Sequence, residues 1–136
     1  MHYILEAFIV GLYTCFIYSF IIPFSNKFIL FFCVGFFKHF FSYFLYLQTY
    51  YCNYGYACGG KNVGKKTTNI TILELFIQSI MEGFLFIIFG SLLYFVIFLR
   101  KNKWLLFFMV GFILHIIFEL LGIHIYFCKY KCSKSC

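Results

Sequence analysis

Four apolar runs, at 3–24, 28–47, 73–99 and 104–127, are each long enough to cross a bilayer whose hydrocarbon core is about 30 Å thick, at about 1.5 Å rise per residue. Backbone N–H and C=O groups in hydrocarbon must bond within their own segment, so each run is predicted to be an α-helix. The runs are continuous rather than alternating, which speaks against barrel strands. With 64% hydrophobic and 11% charged residues, the chain also lacks the polar surface that a water-soluble domain of 136 residues requires. It enters its first run at Tyr3 with no basic n-region or small-residue cleavage motif, so the first span is expected to be retained.

Residues 1–54 and 77–130 align without a gap and share 18 identical residues. These include Glu6/Glu82, Asn26/Asn102, Lys27/Lys103, Gly35/Gly111, His39/His115 and Cys52/Cys128, which are not generic membrane filler. Each copy reads as span, short turn, span, then a Tyr-x-Cys-x-Tyr exit. The predicted fold is an all-α membrane protein whose four transmembrane helices come from two tandem parallel-repeat helical hairpins. The first hairpin occupies 1–54, a polar linker at 55–76 runs into the third span, the second hairpin occupies 77–130, and a Cys/Lys tail follows at 131–136. The short turns force antiparallel neighbours, and parallel repeats relate by a two-fold axis along the membrane normal. The N-terminus, the loop at 48–72 and the C-terminus then share one face.

The charge of that face cuts both ways. The loop and tail carry Lys61, Lys65, Lys66, Lys129, Lys131 and Lys134, against Lys27, Arg100, Lys101 and Lys103 in the turns, and that balance favours the cytoplasm. Five cysteines and an Asn69-Ile70-Thr71 sequon favour an oxidising face, and the exoplasmic reading is adopted. The net charge of +7 suits anionic lipid headgroups, and no soluble basic face exists for nucleic acid.

Ionisable groups inside spans are costly, and they mark the candidate sites. Glu6 and Gln48 stand 21 residues either side of Lys27, as do Glu82 and His124 about Lys103. On continuous helices these four form one intramembrane polar layer about 31 Å from the turns. They serve either as interfacial anchors or as a functional layer. Glu74, Gln78 and Glu82 line one stripe at i, i+4 and i+8. A deeper group near mid-membrane holds Lys38, His39, His115 and Glu119. The two histidines lie about 18 Å from the turns, one i+4 step beyond Gly35 and Gly111. Those glycines are expected at close helix–helix contacts, with the histidines hydrogen-bonding across. A histidine pair acting as proton relay or metal pair is the functional alternative, and Lys38 is expected to pair with Glu119.

Cys52, Cys58, Cys128, Cys132 and Cys136 are candidates for disulfides on an oxidising face or for a metal on a reducing one. Their odd number leaves one thiol over. Cysteines at the mouths of four membrane helices are similar to those of quinone-linked disulfide-forming oxidases and vitamin K epoxide reductases, although this chain has no C-x-x-C. Abundant Phe, Ile, Tyr, Lys and Asn, with two Ala, one Arg and one Pro, point to an AT-rich genome. Together with the aromatic, cysteine-bearing loop, this looks like the small multi-pass membrane proteins of giant AT-rich DNA viruses. That resemblance implies a component of a virion or host membrane. The expected function is a non-enzymatic integral membrane protein that packs with partners or with itself. The alternatives are a small transporter or channel using the Glu/His layers, and a membrane thiol–disulfide oxidoreductase. No catalytic residue and no cofactor are predicted, and the expected partners are the lipid bilayer, further copies or other membrane proteins, without nucleic acid.

Overall fold

The apolar runs do form helices, but three of the four break sooner than their composition suggests. A computed structural model describes residues 2–21, 26–58 and 66–134. In chain order these form α1 (Tyr3–Ile21), α2 (Lys27–Phe44), α3 (Leu47–Tyr54), a 3-10 turn (Tyr56–Cys58), β1 (Lys66–Thr68), α4 (Ile72–Tyr94), α5 (Ile97–Lys101), α6 (Lys103–Leu120), α7 (Ile123–Tyr130) and β2 (Cys132–Lys134). Helices α1, α2, α4 and α6 are long and apolar enough to cross a membrane. The run at 28–47 breaks where Tyr46 takes a left-handed φ of 57°, and the run at 104–127 breaks where Gly122 takes φ 73°. Only Gly adopts that region without a Cβ penalty, so the tyrosine carries a cost of about 1 kcal/mol. The run at 73–99 ends its helix at Tyr94 and restarts as α5.

Capping explains where the helices begin. Asn26 Oδ1 accepts from the N–H groups of Phe28 (2.9 Å) and Ile29 (3.3 Å), and Asn102 Oδ1 accepts from Leu105 N–H (3.2 Å). Each Asn-Lys pair therefore supplies the cap of the helix that follows it. Thr71, the last residue of the sequon, forms a capping box with Glu74 at the head of α4.

The closest packing is between helices that are not neighbours in the chain. Helix α1 lies along α6 and α2 lies along α4, with lesser contact between α1 and α2 and between α4 and α6. Small residues set these approaches. A Cβ on Gly35 would stand 2.8 Å from the Glu82 carbonyl oxygen and from the Phe86 ring, while one on Gly111 would overlap the Thr14 hydroxyl. Gly costs roughly 1 kcal/mol in mid-helix relative to Ala, and close backbone approach is what offsets it. Phe31, Phe86, Phe107, Leu106, Leu114, Val34 and Val110 fill the space between the spans. Large apolar side chains such as Phe20, Phe84, Phe98 and Leu120 face outward, as a lipid-contacting surface requires.

Beyond the breaks, α3, α7 and the 3-10 turn build a small head with a ribbon in which β1 pairs antiparallel with β2, Thr68 opposite Cys132. Cys52–Cys132 and Cys58–Cys128 are disulfides, with Cα separations of 5.6 Å and 5.1 Å, closing 80 and 70 residues of chain. Four of the five candidate cysteines thus pair with one another, and Cys136 lies outside the described residues. Cys15 and Cys33, in the spans, are free thiols.

Candidate functional site: two buried polar clusters

Glu82 is the centre of the first cluster, between α2 and α4. Its Oε1 takes the Lys38 ammonium, and His39 Nδ1 lies 2.7 Å from its Oε2. His39 Nε2 stands 3.2 Å from Gln78 Oε1, and Lys38 also lies 5.5 Å from the centroid of the Phe86 ring. The backbone joins in, with Tyr13 OH donating to the Lys38 carbonyl at 3.0 Å. A buried carboxylate is tolerable only when paired and hydrogen-bonded, and here both oxygens have a nitrogen partner.

The second cluster lies between α1 and α6 and reaches up into the head. Glu6 Oε1 accepts the Tyr56 backbone N–H at 2.5 Å, which ties the disulfide-held 3-10 turn to α1. Its Oε2 lies 3.4 Å from His115 Nε2, yet both of these buried atoms lack a hydrogen-bond partner among the described residues. The His115 and His124 rings are 4.4 Å apart between centroids, and His124 Nδ1 lies 2.7 Å from Glu119 Oε2. Tyr51 OH donates to the same Glu119 oxygen at 3.5 Å. Burial, then the Glu119 and Glu6 carboxylates, push the Tyr51 phenol above its usual value, so it stays a donor. Burial, then neighbouring His115, hold the His124 imidazole below its usual value and favour the neutral ring. Among the described residues, neither Glu6 nor Glu119 pairs with a lysine or an arginine.

No family model, curated protein or solved structure matches this chain.

The geometry of the two clusters rearranges the two layers expected from the residue count. Counting along continuous helices set Glu6, Gln48, Glu82 and His124 at one depth, with Lys38, His39, His115 and Glu119 below. The structure instead joins Glu82 to Lys38 and His39, Glu6 to His115, and His124 to Glu119. The helix breaks account for Glu82, Gln48 and His124. Helix α4 ends at Tyr94, so Glu82 is 12 residues from its end (94 − 82), matching the 12 between Lys27 and His39 (39 − 27). The breaks at Tyr46 and Gly122 detach Gln48 and His124 from the spans. Gln48 turns to Ser42, donating from Nε2 to its Oγ at 2.9 Å, and its Oε1 is buried without a partner. Lys38 meets Glu82 rather than Glu119 because α2 packs along α4, while Glu119 sits on α6.

Gln78 enters the first cluster along the Glu74-Gln78-Glu82 stripe, a periodicity visible in the sequence. Tyr51 and the Tyr56 amide enter the second through a head whose folding no local pattern announces. Glu74, at the exposed end of that stripe, pairs with Lys131 at 3.2 Å.

Proposed function

We propose that this chain is a non-enzymatic integral membrane protein with a structural or assembly role in a viral or organelle membrane, a filled four-helix stem carrying a disulfide-bound head. The observation that carries this reading is the stem's interior. Phe31, Phe86, Phe107, Leu106 and Leu114 are all under 2% exposed, so packed side chains occupy the space that a conduction path would need. The two disulfides support an oxidising, exoplasmic side for the head, the N-terminus and the tail.

The halves are duplicates that exchange partners across a two-fold axis along the membrane normal. Two equivalences support this. Glu6 meets His115 as Glu82 meets His39, and Cys52 and Cys128, 76 positions apart, each bond to a cysteine downstream of the other. Co-expressed as separate polypeptides cut between β1 and the 3-10 turn, the halves are expected to migrate as one disulfide-linked species until reduced.

The buried Glu/His clusters favour a small transporter as the second reading. Reconstitution in lipid vesicles separates the two. The structural role predicts proton and cation flux equal to that of protein-free vesicles. Flux above that level, lost on Glu82→Gln, would give the transporter reading precedence.

A further inference from the structure

We propose that Glu6, His115, Glu119 and His124 form a closed binding site for a divalent first-row transition ion, zinc fitting best. The inference stands apart from the assembly role. The ligand atoms of His115, Glu119 and His124 all lie within 4.8 Å of one another. Glu6, on α1, stands outside that group with its Oε2 3.4 Å from His115 Nε2, and joins the other three by a side-chain rotation when the ion binds. Tetrahedral zinc, with bonds of about 2.0–2.2 Å to nitrogen and oxygen, holds neighbouring donors roughly 3.3–3.5 Å apart. The 3.4 Å between Glu6 Oε2 and His115 Nε2 matches that spacing. Neither atom is hydrogen-bonded, although the side chains are only 6% and 7% exposed. A polar atom left unbonded in a dry interior costs free energy, and coordination to an ion removes that cost.

The groups around the ligands fit as well. Tyr56 N–H holds the other oxygen of Glu6, and Tyr51 OH reaches Glu119, so both carboxylates are oriented from outside the site. The ion takes the place of the proton in the His124–Glu119 contact. Two imidazoles and two carboxylates fill four positions and leave none open, which is the pattern of a structural site. A nitrogen–oxygen set of this kind suits zinc better than it suits calcium or magnesium.

A second, independent observation comes from the residues 76 positions earlier. Position 38 is lysine where 114 is leucine, position 43 is tyrosine where 119 is glutamate, and position 48 is glutamine where 124 is histidine. All three differences act in one direction. The Glu82 cluster supplies its own ammonium. Among the described residues the Glu6 cluster has no ammonium, but it adds a second carboxylate and a second imidazole.

The full chain, purified in detergent with its disulfides intact and stripped by chelator, is to be titrated with zinc chloride and separately with cobalt chloride. The expected result is one ion per chain, a higher melting temperature with zinc, and a tetrahedral cobalt spectrum without a thiolate charge-transfer band. His124→Gln, the residue found at 48, should weaken zinc binding at least tenfold, while His39→Gln in the other cluster should leave it unchanged. Leu114→Lys should abolish binding, because the new ammonium occupies the ion's place. Where that buried lysine prevents folding, Glu6→Gln and His124→Gln decide the matter. The proposal is overturned by absence of stoichiometric binding, by a thiolate band, or by wild-type zinc affinity in any of these ligand-site variants that folds.

Discussion

The two clusters draw on stretches of sequence 76 positions apart that share Glu, Gly and His, and they reach opposite solutions to one problem, the burial of a glutamate among long apolar helices. At Glu82 the neighbouring helix brings a lysine and a histidine to the two carboxylate oxygens, and the charge is balanced within the protein. At Glu6 the corresponding helix brings leucine in place of lysine, and one carboxylate oxygen and one imidazole nitrogen face each other unbonded. The same backbone packing thus carries a self-sufficient cluster on one side and an incomplete one on the other. A buried ionic group is a liability unless its partner is present, so substituting a single position can move a site from one state to the other.

The largest effect should come from removing the cation that makes the first cluster self-sufficient. Lys38→Leu, which copies position 114, strands the Glu82 carboxylate and is expected to cost about 3–5 kcal/mol, as for other buried pairs broken from one side. Adding Glu82→Gln should restore most of that loss. Denaturant unfolding in detergent measures both, and wild-type stability of the single variant would remove the contrast between the clusters.

The head is the next point of leverage. Each disulfide closes a long stretch of chain, and Cys58→Ser is expected to cost roughly 2–5 kcal/mol. Because the 3-10 turn holds Glu6, this variant should disturb the Glu6 cluster more than the Glu82 cluster. Comparing ring resonances of His115 and His39 in NMR spectra would reveal any difference, and equal perturbation of both would contradict the link.

A smaller difference should separate the two repeated glycines. The Cβ of Gly35→Ala meets a backbone carbonyl that cannot turn aside, whereas that of Gly111→Ala meets the hydroxyl of Thr14. Overpacking costs typically 1–3 kcal/mol, and Gly35→Ala should lie at the upper end. Because the new methyl at 111 also stands 2.9 Å from the Thr14 Cβ, Thr14→Gly should rescue Gly111→Ala, while no single side-chain change on α4 should rescue Gly35→Ala. Melting temperatures of the three variants and of the double variant test this ordering.

The caps give the finest comparison. Asn26 accepts two backbone N–H groups and Asn102 accepts one. Both Asn→Ala changes should cost about 1 kcal/mol, the first more than the second. A reversed order in thermal unfolding would show that the geometry of the two turns does not govern the caps.

Much of the stem was legible from the residues. Continuous apolar runs permit no alternative to helices, since unpaired backbone groups cannot remain in hydrocarbon, and the Asn-Lys turns mark where α2 and α6 begin. The ends were harder to locate. Nothing in Leu45-Tyr46 or Phe95-Val96 is a breaker by type, and those turns form because the chain leaves the stem there to build the head and the α5 elbow. The depth count carried that error forward and separated Glu82 from His39.

By itself the sequence determined that four stretches are long and apolar enough to be spans, the recurrence of Glu, Gly, His and Cys in both halves, and the absence of lysine at 114. Each of these follows from residue type and spacing along one chain. Only the tertiary structure decided that α1 lies along α6 and α2 along α4, that Cys52 joins Cys132 and Cys58 joins Cys128, and that Lys38 finds Glu82. Such pairings depend on which helix faces close on each other, and small residues such as Gly35 and Gly111 set that choice through distances of a few ångströms between segments far apart in the chain.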